Sequence, residues 1–482
     1  MVDATINNCM GKWLVRYETI LIILAAVILI RTPTLLEPYW YGDEGVYLTI
    51  GQAMHRGEEL YLGIHDNKPP FIYLVAAAVN GDQFWFRFVA MASNVVVVGI
   101  FWLLAKQWLG KDHQALWATL IFVAVTNLPM WEGNIANAEN FFLLFTVGAF
   151  YWLYRGRSAL IGGLLLGLGG LFKIPALVEV GVWPVYWLVT GQKKWLEQSA
   201  LVVIGALLPL GVSILYYFSR GSLPNYLIAA GLQNVPYLSS WGGPVSFKVR
   251  AGLAGILGLG LVVGRKLINH KTWLLAMWWL VVLFAALLSG RPYPHYLLQL
   301  AAPLALGLVA LLASREKERL LLTGLAVLTF ISWSTFKFYT YPVKKYYVNF
   351  LTWVVGGESQ KEYFNNFSGD TWRNYQIAKL INAGTMPDEK VFIWGDQPMI
   401  YALARRQPVG KYTVRYHILD FRAQAATIVL LQAEPPRVIV SFGAEKDLPG
   451  LSGIIAHSYR LQTEVGGARV FRRINPANAK KL

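Results

Sequence analysis

The sequence contains little cysteine and little charge. Cys9 is the one cysteine among 482 residues, which excludes an internal disulfide framework and a metal site built from several cysteines. Charged residues make up 15% of the chain, whereas a typical soluble domain carries roughly 25%. The formal net charge is +16, but the basic residues lie between apolar runs and form no stripe of the kind that binds nucleic acid. This composition excludes an ordinary soluble fold and predicts no nucleic-acid partner.

Long apolar runs are abundant instead, and hydrophobic residues make up 55% of the chain. A run of roughly 17 residues or more can cross the hydrocarbon core of a bilayer. We predict eleven spans, at 17–36, 86–105, 115–130, 140–154, 158–173, 175–190, 198–218, 251–264, 272–289, 295–313 and 319–337. The first run follows Lys12 and Arg16 and resembles a signal peptide. Since no small-residue cleavage site follows it, we interpret it as an uncleaved span.

The distribution of basic residues predicts the orientation. Short loops on one side carry Lys106, Lys111, Arg155, Arg157, Lys193, Lys194, Arg265, Lys266, Lys271, Arg315, Lys317 and Arg319, and Lys12 and Arg16 fall on the same side. The positive-inside rule makes this side cytoplasmic, although some basic residues, such as Lys68 and Arg291, lie outside. This orientation requires that Phe71–Val79 does not cross the membrane. As a helix the segment would be about 13 Å long, which is too short to span the hydrocarbon core. We therefore expect residues 45–57 and 69–80 to form helices along the outer interface.

The composition changes after Tyr339, where charged residues, Asn and Gly return. Patterning there predicts helices at Thr371–Ala383, Pro398–Arg406 and 420–433, and strands at Val391–Trp394, Arg437–Ser441 and Ala468–Arg472. Alternating elements of this length indicate a small α/β domain. We predict a membrane domain over 1–338 and an α/β domain over 339–482. An odd number of spans puts the N-terminus inside and the α/β domain outside.

The first outer loop holds the residues most suited to chemistry. It contains Tyr41-Gly42-Asp43-Glu44-Gly45, followed by His65-Asp66-Asn67-Lys68-Pro69-Pro70. Adjacent acids directly after a span are costly unless they face water or a cation. Simpler interpretations remain: Asp43 as a helix cap, Glu44 as a helix-start charge and Lys68 as an interfacial lysine whose amine reaches water.

These residues resemble a known family. The Asp43-Glu44 pair just after the first span is similar to the signature of the GT-C membrane glycosyltransferases. Lys68-Pro69-Pro70 and Arg87, which opens the second span, resemble the branch that holds protein O-mannosyltransferases and aminoarabinose transferases. The segment from Arg291 to Tyr296 is also similar to bacterial members. The resemblance covers the membrane half well and the C-terminal domain in outline.

The resemblance implies a fold and a reaction. The fold is an α-helical polytopic membrane protein of GT-C type with a small C-terminal α/β domain. The reaction is an inverting transfer of a sugar from a polyprenyl-phosphate donor to a hydroxyl-bearing acceptor, which is a protein, a glycolipid or a wall glycan. The expected location is a bacterial cytoplasmic membrane, with the chemistry on its outer face.

The resemblance also implies roles for single residues in the first loop and second span. Asp43 would be the catalytic base or the acid that orients the acceptor, with Glu44 as its neighbour. A carboxylate can take the proton of an acceptor hydroxyl, and a cation can stabilise a leaving phosphate. Lys68 would therefore contact the donor phosphate, and Arg87 would either bind it as well or pair with Asp82.

Glu139, which opens the fourth span, falls where the family often has a second functional acid, and His295 is a further cavity candidate. Glu132 and Lys173 rank lower, as a hydrated loop acid and an interfacial lysine. Some family members bind a divalent metal through the residue directly before the lysine. Here that residue is Asn67, a poor ligand. Metal use therefore stays open, with His65, Asp66 and His295 as candidate ligands.

Two other functions compete with the transferase. A transporter or a flippase of lipid-linked sugars usually has internal repeats and broken helices near the bilayer midplane, and the sequence shows neither. A non-catalytic assembly protein would instead depend on its C-terminal domain. We rank the transferase first, the transporter second and the assembly protein third.

Overall fold

The computed structural model describes residues 18–238 and 243–474, so Cys9, Lys12 and Arg16 lie outside the described residues. The chain packs as two compact units. Within the described residues, the helical unit contains 18–35, 87–218, 234–238 and 243–346. The α/β unit contains 36–86, 219–233 and 347–474. The predicted division of the chain into domains at 338/339 stays a prediction.

Helices coincide with all eleven predicted spans. Six in the described residues are long and apolar enough to cross a membrane: Glu18–Leu36, Gln83–Leu109, Trp195–Ser219, Phe247–Leu267, Pro294–Ala313 and Glu316–Phe336. The other five are shorter: Asp112–Asn127, Ala138–Tyr154, Ala159–Gly170, Ile174–Val189 and His270–Ala286. These helices confirm an integral, multi-pass membrane protein. Glycines bring two of them close together, because a Cβ at Gly163 or Gly167 would collide with the backbone at Val202 or Ala206.

The α/β unit is built on a sheet with the strand order β1-β2-β4-β3. The strands are β1 Phe392–Trp394, β2 Val438–Ser441, β3 Tyr459–Val465 and β4 Ala468–Arg473. β1 and β2 are parallel, whereas β4 runs antiparallel to both β2 and β3. Successive side chains point to opposite faces of a strand. Ile393 thus belongs to one apolar cluster and Phe392 to the other, which shows that helices cover both faces of the sheet.

The predicted helices and strands of this unit are confirmed, with shifted ends. Helix Val343–Val354 begins in the helical unit and ends in this one. The longer helices that lie wholly in the α/β unit are Thr371–Gly384, Gln424–Ala433 and Leu451–Ser458, and the shorter ones are Gln360–Asn365, Met399–Ala404 and Arg415–Asp420. The prediction missed strand β3, an edge strand with mostly exposed side chains, although Tyr459, Leu461 and Val465 alternate with polar residues. The Gly466-Gly467 turn, with both φ angles positive, was the available hairpin signal.

The first outer loop folds as part of this α/β unit. Its two predicted helices are confirmed as Gly42–His55 and Phe71–Ala78, and their position at the membrane surface stays a prediction. A Cβ added at Gly45 would lie 2.7 Å from the Met399 amide nitrogen, so glycine permits the close contact with helix Met399–Ala404. Thr49 Oγ1 donates a hydrogen bond to the Pro398 carbonyl (3.0 Å). This bond attaches helix Gly42–His55, which carries Asp43 in its first turn, to the start of helix Met399–Ala404. Tertiary packing of this kind holds the loop residues in one arrangement.

Candidate functional site

Asp43 and Glu44 lie in the first turn of helix Gly42–His55, where the helix dipole favours acidic side chains. The Asp43 side chain is 38% exposed, whereas Glu44 is buried. One turn later, the Tyr47 hydroxyl donates to Asp43 Oδ2 at 3.3 Å. A second molecule can therefore reach Asp43, while Glu44 is enclosed.

Lys68 lies between two carboxylates. Its ammonium is 3.5 Å from Asp43 Oδ2, 3.6 Å from Asp66 Oδ2 and 5.0 Å from the centre of the Tyr47 ring. The lysine side chain is 19% exposed. Burial alone would lower the pKa of Lys68, but the charges of Asp43 and Asp66 raise that pKa well above its ordinary value. The structure therefore keeps a positive charge beside an accessible carboxylate.

Asp66 is the buried anchor of this lysine. Its carboxylate accepts hydrogen bonds from the Tyr73 hydroxyl at 2.6 Å and from the Asn67 amide at 2.7 Å. Burial alone would raise the pKa of Asp66, but Lys68, His417 and these hydrogen bonds lower that pKa to about 2. Asp66 is thus ionised at neutral pH, and it holds the charged Lys68 in place whether or not Asp43 is engaged.

The depressed pKa of Asp66 makes its contribution to stability depend on pH. The pKa falls from an ordinary 3.8 to about 2 on folding, so ionised Asp66 stabilises the fold by about 2 kcal/mol at neutral pH. This contribution is complete above the unfolded pKa and is lost as the pH falls through about 2. We expect Asp66→Asn to lower the midpoint of thermal unfolding at pH 7, with a difference from wild type that shrinks below about pH 4.

The measurement is thermal unfolding of the purified protein between pH 7 and pH 3. Asp396→Asn is a matched control, because Asp396 is 34% exposed and pairs with Arg415, and exposed pairs contribute little. A difference between Asp66→Asn and wild type that stays constant down to pH 3 would contradict the ion-pair role of Asp66.

Sequence reasoning missed His417, which the α/β unit brings to this cluster. The residue lies in helix Arg415–Asp420, is buried, and has its Nε2 3.5 Å from Asp66 Oδ1. Burial lowers the pKa of His417, although the Asp66 charge opposes that shift. Nothing in the local sequence marks this histidine, because its role depends on the contact with Asp66, which lies far earlier in the chain.

His65 contacts a glutamine side chain and two aromatic rings. Its Nε2 lies 3.1 Å from Gln233 Oε1, and its ring packs edge-on against Tyr412 and Phe421. Burial lowers the pKa of His65 to about 4, since the Asp66 charge only partly offsets that burial. The ring is therefore neutral at physiological pH.

The predicted metal ligands do not assemble into a site in the described residues. Across 18–238 and 243–474, no group of three or more His, Cys, Asp and Glu side chains is arranged to hold a metal ion. His65 and Asp66 lie in the α/β unit with the partners given above, whereas His295 lies in the helical unit, where its Nδ1 pairs with Glu132.

The helical unit has a second polar cluster. Lys173 forms an ion pair with Glu139, and its ammonium lies 4.0 Å from the centre of the Tyr296 ring. Glu139 is buried, and among the described residues its Oε2 atom has no hydrogen-bond partner. Glu132 and His295, which are close in sequence to Glu139 and Tyr296 respectively, form a second buried pair. Glu139 and His295 were both predicted as site residues. Their partners, Lys173 and Glu132, are the two residues that sequence reasoning ranked lower.

Arg87 also belongs to the helical unit. It lies in helix Gln83–Leu109, is fully buried, and donates a hydrogen bond from Nη1 to the Thr34 carbonyl at 2.7 Å. This bond joins the start of the second span to the end of the first. A role for Arg87 in phosphate binding stays a prediction.

Comparison with known proteins finds similar structures but no similar sequence. No family model and no curated protein matches the chain. The structure resembles ArnT from Cupriavidus metallidurans bound to undecaprenyl phosphate, with a TM-score of 0.64 over 95% of this chain and 99% of that chain, at 14% identity. It also resembles the same protein in its apo state, with a TM-score of 0.60 over 97% and 98% of the two chains, at 14% identity. ArnT is an aminoarabinose transferase of the GT-C fold, and the likeness shows that fold here.

Proposed function

We propose that this membrane protein of GT-C fold is an inverting glycosyltransferase that moves a sugar from a polyprenyl-phosphate donor to an acceptor hydroxyl on the outer face of a bacterial cytoplasmic membrane. The observation that carries the proposal is the pairing of an accessible carboxylate, Asp43, with a charged and largely buried lysine, Lys68. The similar ArnT structure holds undecaprenyl phosphate, which is the lipid part of such a donor.

The proposed reaction is a direct displacement. Asp43 takes the proton of the acceptor hydroxyl, and the acceptor oxygen then attacks the anomeric carbon from the face opposite the phosphate. The bond from this carbon to the phosphate oxygen breaks as the new glycosidic bond forms, which inverts the configuration. Lys68 stabilises the negative charge of the departing polyprenyl phosphate.

The two partners of Lys68 have different tasks in this scheme. Asp66 is buried and keeps its charge, so it holds the lysine throughout the reaction. Asp43 is the exposed partner, and an arriving phosphate can take its place beside the ammonium. Donor binding then releases the Asp43 carboxylate to act as a base, which couples acceptor activation to the presence of the donor.

The test uses purified full-length protein in lipid with radiolabelled polyprenyl-phosphate hexoses and pentoses. The acceptor mixture contains proteins, glycolipids and wall glycan. We expect acceptor-dependent release of polyprenyl phosphate and a product whose anomeric configuration is opposite to that of the donor. Movement of intact donor between leaflets without any transfer would instead support the lipid-linked-sugar flippase.

Replacing His417 tests how the α/β unit contributes to this reaction. His417 contacts Asp66 and not the reacting atoms, so we expect His417→Ala to loosen Lys68 and to lower donor turnover about tenfold, mainly through a raised KM for the donor. His417→Gln should restore part of the loss, because its amide can donate to Asp66. The measurement is steady-state kinetics with varied donor.

His457→Ala is the matched control, since His457 is an exposed histidine on another helix of the same unit. If His417→Ala lowered kcat and thermal stability alike and His417→Gln rescued neither, His417 would have a purely structural role.

A further inference from the structure

The helix that follows the last membrane span buries a polar side chain and exposes several apolar ones. Helix Val343–Val354 buries Asn349, whose side-chain amide donates to the Tyr363 carbonyl and whose Oδ1 accepts from Asn366 at 2.5 Å. On the same side, the Trp353 ring stacks on Tyr363 with the ring centres 4.4 Å apart. The side of the helix with polar and aromatic contacts therefore faces protein.

The opposite side presents apolar groups. Val348 and Leu351 in the helix and Val355 directly after it recur at a helical spacing, and the Val355 amide still donates to the Leu351 carbonyl, so the three lie on one side. Leu351 is 58% exposed and Val355 is 79% exposed, which matches the exposure of apolar residues on helices long enough to cross a membrane, such as Leu215 at 66%. Val354 extends this apolar stripe. A contiguous exposed stripe indicates a binding surface, whereas single exposed apolar residues need no explanation.

Charge and chain connection identify what covers the stripe. Exposed Lys344 and Lys345 lie in the first turn of the helix, and basic residues beside an apolar stripe are typical of helices that lie on anionic bilayers. The last span ends at Phe336, and residues 337–342 can reach at most roughly 25 Å. The bilayer is therefore within reach of the helix.

We propose that helix Val343–Val354 lies in the membrane interface, with Val348, Leu351 and Val355 at the acyl boundary and Lys344 and Lys345 among anionic headgroups. The helix leads directly into the α/β unit, so it anchors the start of that unit to the bilayer surface. This inference rests on membrane association and not on the proposed reaction.

The test places a bimane fluorophore on Leu351→Cys in full-length protein with Cys9→Ser, since Cys9 is the one native cysteine. The protein is reconstituted in nanodiscs of phosphatidylcholine and phosphatidylglycerol. Val429→Cys is the matched control, because Val429 is 62% exposed on a helix elsewhere in the α/β unit. We expect doxyl-labelled lipid to quench the label at 351 and aqueous iodide to quench the label at 429.

Two further results decide the proposal. Lys344→Gln/Lys345→Gln should reduce lipid quenching at position 351 in discs that contain phosphatidylglycerol, and to a smaller extent in discs of phosphatidylcholine alone. Iodide quenching at 351 as strong as that at 429 would overturn the proposal, because it would place the stripe in water. Protection from both quenchers would also overturn it and would assign the stripe to a second copy of the chain.

Discussion

Asp43→Asn is expected to lower donor turnover by roughly 10²- to 10⁴-fold, the usual contribution of a general base. Asparagine keeps the shape of the side chain and can still accept a hydrogen bond from the Tyr47 hydroxyl. It cannot take a proton from the hydroxyl of the acceptor substrate. Lys68 retains Asp66 as its counter-ion in this variant, so the phosphate site should stay charged. The measurement is release of polyprenyl phosphate from labelled donor, with binding of undecaprenyl phosphate measured in parallel.

Asp396→Asn is the control for this substitution, because Asp396 is a half-exposed aspartate that also pairs with a basic residue in the same unit. We expect wild-type turnover from the control and wild-type lipid binding from both variants. Turnover by Asp43→Asn equal to that of wild type would remove Asp43 from the mechanism and leave the ion pair with a structural role.

The fold could be predicted from the sequence to a large extent, because the thickness of the hydrocarbon core imposes long apolar runs. All eleven predicted spans coincide with helices, including short ones such as Ala159–Gly170. The prediction did not show that residues 36–86 belong to the α/β unit. That packing depends on contacts such as Thr49 with Pro398, which no local pattern encodes.

The candidate site, like the fold, could be predicted from the sequence only in part. Asp43 and Lys68 could be paired from the sequence because they share one loop and resemble a family signature, and their charged atoms are 3.5 Å apart. Lys173 was expected to reach toward water at the interface, but the structure places its ammonium on Glu139 and over the Tyr296 ring. A charged side chain near apolar surroundings is stabilised by a counter-ion, and the identity of that counter-ion depends on how the helices pack.

Lys68→Met is expected to lower donor turnover by roughly 10²- to 10³-fold, because removal of one group that stabilises developing charge typically costs this much. The variant should also bind undecaprenyl phosphate more weakly than Asp43→Asn does, since Lys68 carries the charge that faces the phosphate. Lys68→Arg keeps the positive charge but replaces the compact ammonium with a planar guanidinium of different hydrogen-bond geometry, so we expect partial activity. Kinetics with varied donor and equilibrium binding of the lipid phosphate measure these effects.

The loss in Lys68→Met has a second possible origin, because the variant leaves Asp66 buried without its ammonium partner. Breaking a buried pair on one side costs about 3–5 kcal/mol of stability. The double variant Asp66→Asn/Lys68→Met removes both charges, so thermal stability should recover while turnover and lipid binding stay low. Recovery of turnover in the double variant would contradict a phosphate role and would make Lys68 a partner that serves only to neutralise Asp66.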